Sequence, residues 1–462
     1  MSTETRPPAS AEQDRGRRIR RRKVIDRSAL RLNIRGRSVK LRGLKRPPTG
    51  ILLVLAVLGP GLITGSAGND AGGIATYSQA GAKFGYELLW AMVLVTISLM
   101  VVQELCARLG AATGRGVLDL VRERYGAGWA LFAQLVVLVA NTSIVVTEFL
   151  ALGASAELFG LSKFIAVPVC AALVWCLVIA GSYGRVEKVF IAMTLVFFAY
   201  PIAAVLAHPD WGQVIHGLVV PTFHADPDFL LLFVAIVGTT VSPYQQLFQQ
   251  SATVEKGVAR RHYGAAQRVD TFFGMVFSNI ISVFMIIAAG ATLHQAGKTD
   301  ISTAADAASA LQPVAGDAAQ LLFAIGLVGA SLIAAAVLPL ATAYSVSETF
   351  GFRKGVDLDF RRAPIFLCIF TGLILLGAGL SLIPGLPVIQ MLVLIQVLNG
   401  ILLPIILLFL LLLANDRRLC GDLHNRWLSN TLGWGTFVMV TGAVLLLFGT
   451  QILGLLGIGP GG

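Results

Sequence analysis

Long apolar segments constrain this chain more than any other feature. Runs of about 18 to 25 mainly apolar residues, the length that crosses a bilayer as a helix, recur along it. Of the 462 residues, 56% are hydrophobic and only 13% are charged. This composition is typical of a polytopic helical membrane protein, with the lipid bilayer as its surroundings.

The apolar runs and the polar loops between them divide the chain into three parts. We predict a basic, disordered cytoplasmic tail over residues 1–47, a transmembrane domain over 48–455 and a short extracellular tail over 456–462. About eleven spans are expected. They lie near residues 51–82, 86–110, 129–158, 164–181, 186–207, 229–252, 271–294, 318–346, 364–383, 386–413 and 431–455.

Basic residues are distributed unevenly between the two sides of the predicted membrane domain. The N-terminal tail carries 16 Lys and Arg residues, and the loops predicted on its side carry another 16. The opposite loops hold only Lys83, Lys163 and Lys298. Because cytoplasmic loops are enriched in Lys and Arg, we expect a multi-pass plasma-membrane protein with a cytoplasmic N-terminus.

The net charge of +11 is not a sign of nucleic-acid binding, because it follows the loops and the tail. A basic tail of this kind can attract anionic lipid headgroups. The five cysteines lack CxxC spacing and indicate packing residues rather than a zinc or disulfide framework. With no catalytic triad or phosphate-binding loop in the sequence, we expect neither an enzyme nor a cofactor.

Asp70 is a carboxylate inside the first apolar segment. It lies in the run GPGLITGSAGNDAGG (residues 59–73), where glycines are too dense for an unbroken helix. A charge at membrane depth is costly and persists mainly where it faces a cavity, a partner or a cation. Asp70 is therefore a candidate functional residue.

The sixth span is also interrupted. It contains Gly-Thr-Thr-Val-Ser-Pro at residues 238–243, and Pro243 lacks the backbone donor that a continuous helix needs. Interrupted segments at matching positions of two halves indicate a transporter site near the membrane midplane. Spans 1–5 and 6–10 then form two inverted five-helix repeats. A carboxylate among freed carbonyls predicts a cation as the ligand.

Two stretches resemble the Nramp divalent-metal transporters. Residues 59–114 look like the first two helices of that family, and GTTVSPYQQLFQQS (238–251) looks like the sixth. The resemblance implies an all-α, leucine-transporter-type fold with broken helices 1 and 6. It also implies transport by alternating access, a metal site shared by those two helices and no obligatory protein partner.

The departures from the family motifs favour a different ion. The family's Asp-Pro-Gly-Asn is Asp70-Ala71-Gly72-Gly73 here, so glycine replaces an amide ligand. The family's alanine carbonyl and methionine thioether match Thr239 and Ser242. Losing the soft thioether shifts preference toward hard ions, and Mg²⁺, which keeps several waters, suits a roomier oxygen site. The pattern resembles the Nramp-related magnesium transporters.

The proton-coupling residues of the family are also incomplete. Its helix-six histidines match Tyr244 and Gln249, and Val145 replaces one helix-three acid while Glu148 retains the other. Because histidine titrates nearest to neutral pH, a proton relay without it is handicapped. Glu148 is either a structural acid or a residual part of a proton route, and uncoupled transport is the simpler hypothesis.

We therefore predict that the chain imports Mg²⁺, with Mn²⁺ as a possible second substrate. Asp70 supplies the charge, the Ala67 and Thr239 carbonyls and the Ser242 hydroxyl supply oxygens, and Gly73 leaves room for water. Further residues are expected to line the cavity or contact the hydrated ion, although bonding between helices explains them equally well. These are Tyr244, Gln245, Gln249 and Asn399. By counting, the family's helix-ten glutamine matches Leu402.

Three alternatives remain open. The first is a proton-coupled Mn²⁺ or Fe²⁺ transporter of the main Nramp type. The second is an amino-acid carrier of the same fold, which Asp70 disfavours because a substrate carboxylate would meet a negative charge. The third is a metal sensor that transports nothing, which would need a soluble signalling domain.

Overall fold

The computed structural model describes residues 29–34, 37–42, 70–179, 195–224, 226–255, 265–353 and 361–455. Two units are distinct, Met1–Val57 and Leu58–Gly462. The first contains an antiparallel hairpin of β1 (Ala29–Ile34) and β2 (Arg37–Arg42), in which Leu30 pairs with Leu41 and Leu32 with Val39. The tail was predicted to be disordered. The alternation of apolar and polar residues in ALRLNI and RSVKLR favours strands instead.

Helices make up the described part of the second unit. The main ones are α1 (Ala71–Phe84), α2 (Leu89–Thr113), α3 (Val117–Tyr125), α4 (Ala127–Leu158), α5 (Lys163–Ile179), α6 (Ala199–Leu206), α7 (Trp211–Val219), α8 (Pro227–Thr240), α9 (Pro243–Glu255), α10 (Ala265–Ala289), α11 (Ala304–Ala308), α12 (Ala319–Phe350), α13 (Pro364–Ser381), α14 (Val388–Asn415) and α15 (Trp427–Leu455). A π-helical turn, Gly290–His294, extends α10.

Every predicted span has a helical counterpart. Eight stretches among the described helices are long and apolar enough to cross a bilayer, and α5 is a shorter apolar helix. The first parts of spans one and five, Ala67 and the 456–462 tail lie outside the described residues. Span six is two helices, α8 and α9, separated by Val241 and Ser242.

The long helices pack around α4 and α14. Helix α4 lies against α12, α13 and α14, while α14 also contacts α1, α8 and α15. Most of these helices are apolar on all sides, as expected for helices that face either the bundle interior or lipid. The five cysteines, all of which lie in described segments, are not in disulfides.

The loops meet at two opposite ends of the bundle. At one end, Arg124 pairs with Asp416 at 2.9 Å and Arg122 donates to the Thr349 carbonyl at 2.9 Å. At the other end, Lys83 pairs with Asp228. We call these the Arg124 end and the Lys83 end. The described parts of three loops predicted on the tail's side thus gather at one end.

Candidate metal site

Asp70 begins helix α1 as its N-cap residue. Its backbone is extended, and its Oδ1 accepts a hydrogen bond from the Gly73 amide at 2.7 Å. An N-cap carboxylate satisfies an amide that the first helical turn leaves free and interacts favourably with the positive end of the helix dipole. The side chain is only 2% exposed. Helix α1 thus begins within the predicted membrane segment, at the buried acid of that segment.

The second oxygen of the Asp70 carboxylate, Oδ2, takes no part in this cap. Asp70 Oδ2 has no hydrogen-bond partner in the parts of the chain that the structure describes. A buried carboxylate oxygen without a donor is costly, so the arrangement favours an additional positive or donor group at that position. A cation or its bound water fits this position.

Helix α14 closes the site through Gln396. Its Nε2 donates to Asp70 Oδ1 at 3.3 Å, and Asn399 Nδ2 donates to Gln396 Oε1 at 3.1 Å. Gln396 lies directly over Gly72, where a Cβ atom would overlap the Gln396 amide. Glycine at residue 72 is therefore what lets the amide reach the carboxylate. Asn399, predicted to line the cavity, acts on it through Gln396.

Gln396 is the helix-ten residue at the site, and Leu402 is not. Leu402 is a partly buried side chain that packs against the apolar core. The match of Leu402 to the family's helix-ten glutamine stays a prediction, while the contact with Asp70 is made by Gln396.

Helix α8 contributes Thr239 beside the carboxylate. A Cβ atom at Gly73 would lie 2.9 Å from Thr239 Oγ1 and 3.2 Å from Asp70 Oδ1. The threonine hydroxyl is buried and makes no hydrogen bond of ordinary geometry there. Gly73 was predicted to leave room for water. Here it lets two oxygens approach each other closely.

Ser242 lies at the break between α8 and α9 and is fully buried. Its hydroxyl donates to the Gly238 carbonyl at 2.8 Å and to the Thr239 carbonyl at 2.9 Å. The Gln246 side chain donates to the Val241 carbonyl at 3.2 Å. Side chains thus satisfy the carbonyls that Pro243 frees. The Ser242 oxygen keeps its lone pairs for an ion or water.

The remaining glutamines divide into two stripes on α9. Gln246 and Gln250 are fully buried and bond to backbone carbonyls, Gln250 to that of Arg115 at 2.8 Å. Gln245 and Gln249 keep 5% and 8% exposure. All four side chains are thus buried, and the contact of Gln245 and Gln249 with the hydrated ion stays a prediction. Tyr244 is buried in an apolar cluster with its hydroxyl next to Gln245.

Glu148 of α4 is a second buried acid near Asp70. It is fully buried, and its neighbours are the Asp70 carboxylate, the Ser331 hydroxyl and the Ala71 amide. Neither carboxylate oxygen makes a hydrogen bond of ordinary geometry to a residue that the structure describes. Two acids in one buried region create a negative potential that attracts a divalent cation.

One further contact ties α1 to α8 beside the site. The Tyr77 hydroxyl and Thr240 Oγ1 are 2.9 Å apart and share a hydrogen bond. The sequence did not predict this pair, because no local pattern places residue 77 beside residue 240. Within the described ranges, no group of three or more His, Cys, Asp or Glu side chains could hold a metal. The site therefore depends on one or two acids and neutral oxygens.

Comparison with known proteins agrees with this arrangement. A family model described as Nramp, natural resistance-associated macrophage protein-like, matches residues 61–450. The divalent metal cation transporter MntH of Klebsiella pneumoniae (strain 342) is 30% identical over 414 residues, which cover 87% of this chain and 95% of that protein.

Two solved structures show the same fold. The manganese transporter of Eremococcus coleocola, in complex with an aromatic bis-isothiourea substituted compound, gives a TM-score of 0.68 at 20% identity and covers 89% of this chain and 90% of its own. MhsT in complex with L-phenylalanine gives 0.53 at 15% identity and covers 84% of this chain and 97% of its own. The predicted transporter fold is confirmed.

Proposed function

The chain belongs to the Nramp family, and on that premise we propose that it imports divalent metal ions, chiefly Mg²⁺, by uncoupled alternating access. Membership makes it a multi-pass membrane transporter rather than an enzyme. The metal ion is its substrate, and it needs no cofactor or obligatory protein partner.

One observation carries the proposal. A buried carboxylate, Asp70, has one oxygen without a donor among the described residues and stands among amide and hydroxyl groups of α8 and α14. Carboxylate and hydroxyl oxygens are hard ligands that suit Mg²⁺ better than softer transition metals. At Ser242 the chain offers a hydroxyl where the family motif has a thioether. A partly hydrated ion can be held through water by these neutral groups.

The membrane potential is a sufficient driving force. A divalent ion that crosses the field gains about 4.6 kcal/mol per 100 mV, twice the single-charge value. We propose that the N-terminus and the Arg124 end are cytoplasmic, since 16 basic residues lie in the loops on that side and three in the opposite loops. The Lys83 end then faces outward, and a negative interior draws the cation in.

The second candidate is a proton-coupled manganese transporter. It is favoured by the names of the relatives and by Glu148, a second buried acid close to Asp70. In this alternative, the acid pair holds a proton that is released as metal binds. Simultaneous measurement of metal and proton flux separates the two candidates.

Flux on the purified protein tests ion choice. With a Mg²⁺-sensitive dye inside liposomes and an inside-negative potential, we expect Mg²⁺ entry above protein-free controls. Excess Mn²⁺ should slow the dye signal severalfold, and equal Cd²⁺ should slow it less, because neutral oxygen ligands favour hard ions. Failure of Mg²⁺ to enter, or stronger competition by Cd²⁺ than by Mn²⁺, would contradict the proposal.

A further inference from the structure

Helix α1 carries a second set of polar contacts at the end opposite Asp70. Gln79 and Lys83 lie one turn apart, so their side chains project from the same face. Lys83 is about 20 Å along the helix from Asp70, at 1.5 Å per residue. One rigid helix thus joins the candidate metal site to the Lys83 end of the bundle.

Lys83 is paired with acids from two other segments. Its Nζ lies 2.5 Å from Asp228 Oδ2 in the first turn of α8 and 3.9 Å from Asp300 Oδ1 in the loop before α11. Lys83 is in the last turn of α1, so both helix dipoles favour the pair. An ion pair therefore joins α1 to α8 at this end of the bundle.

The side-chain amide of Gln79 forms hydrogen bonds with the same loop. Its Nε2 donates to the Thr299 carbonyl at 3.2 Å and to Asp300 Oδ1 at 3.3 Å, and its Oε1 accepts from the Ile301 amide at 2.9 Å. These hydrogen bonds reach three consecutive residues through both backbone and side-chain atoms. They therefore fix the position of the loop against α1.

A cavity of about 300 Å³ lies directly under these contacts. Gln79, Lys83 and Asp228 line it together with Leu232 of α8 and Val393 of α14. Val393 is three residues before Gln396, and Leu232 is seven before Thr239, so the cavity points toward the site. Asp70 is nevertheless only 2% exposed. The side chains of these polar contacts thus line the cavity, and Asp70 does not.

We propose that Gln79, Lys83, Asp228 and Asp300 form an outer latch, and that the cavity is the closed remnant of the entry vestibule. Release of the latch frees the outer end of α1 from α8 and the 299–301 loop, and opens a path for the cation to Asp70. Exposed ion pairs are individually weak, so such a latch can break and re-form during transport. The inference rests on the proposed alternating access and orientation.

Thiol labelling tests the latch without measuring transport. A cysteine is introduced as Val393→Cys, and a membrane-impermeant maleimide is added outside cells that express the full chain. In the Lys83→Met background, we expect labelling about fivefold faster than with the latch intact, because loss of a weak ion pair shifts a two-state equilibrium severalfold. The same chain without Val393→Cys gives the background from the native cysteines.

Two matched variants control for folding and for general charge effects. Lys298→Met removes another lysine near the same loop, one that forms no ion pair with any described residue, and should leave the rate unchanged. The charge exchange Lys83→Glu with Asp228→Lys should restore slow labelling.

Equal rates in the Lys83→Met and latch-intact proteins, or no labelling of Val393→Cys in any variant, would overturn the latch. Because the readout is access to a cysteine, a wrong assignment of the ion leaves this result unaffected.

Discussion

Asp70→Asn should reduce the initial rate of Mg²⁺ uptake by more than about tenfold. Loss of one partner of a buried charge interaction costs about 2–5 kcal/mol, and each 1.4 kcal/mol is a factor of about ten in affinity. Asn is as good an N-cap residue as Asp, so α1 should still begin at residue 70. The Gln396 contact can also persist, because the amide carbonyl replaces Oδ1 as the acceptor. The change therefore removes charge with little change in shape.

A matched control exists at another helix start. Asp226 is the N-cap residue of α8, is exposed and makes no side-chain cap bond, so Asp226→Asn makes the same chemical change outside the site. Uptake should be unchanged in this variant. Wild-type uptake by a well-folded Asp70→Asn protein would show that the carboxylate does not bind the transported ion.

Ser242→Met should raise the uptake of Cd²⁺ relative to Mg²⁺ by about tenfold. The substitution brings a soft thioether to the break between α8 and α9, and such ligands prefer softer metals. It also removes the hydroxyl that donates to the Gly238 and Thr239 carbonyls. Initial rates with each ion in the same liposomes give the ratio.

Ser242→Ala separates the two consequences of that change. It deletes the hydroxyl without adding sulfur, so Mg²⁺ uptake should fall while the Cd²⁺ to Mg²⁺ ratio stays close to wild type. If Ser242→Met and Ser242→Ala show the same ratio of Cd²⁺ to Mg²⁺ uptake, residue 242 does not face the ion and its side chain does not set the ion preference.

Local sequence features predicted many of the helix starts, breaks and loop positions. Pro243 removes a helical donor, and the observed break lies at Val241 and Ser242, directly before it. Asp70 follows a glycine-dense run and begins α1, as expected for a residue that caps helices well. Alternating basic loops likewise predicted which loops gather at the Arg124 end. Each of these depends on residues close together in the chain.

The contacts between distant helices could not be predicted in the same way. Helices that are apolar on all sides give no pattern that fixes their rotation, so the choice between Gln396 and Leu402 had no local signal. Gln396 reaches Asp70 because Gly72 has no side chain in the space between them. The pairing of Lys83 with Asp228 and Asp300 depends on three segments brought together by packing. Tyr77 and Thr240 meet for the same reason.

The most direct test of the account records Mg²⁺ and pH together inside liposomes that contain the purified protein under an inside-negative potential. Uncoupled transport predicts Mg²⁺ entry that increases with the potential, no acidification of the interior beyond protein-free controls, and no acceleration by an inward proton gradient. Acidification in proportion to the metal that enters would contradict it. That result would assign Asp70 and Glu148 to a proton-coupled cycle.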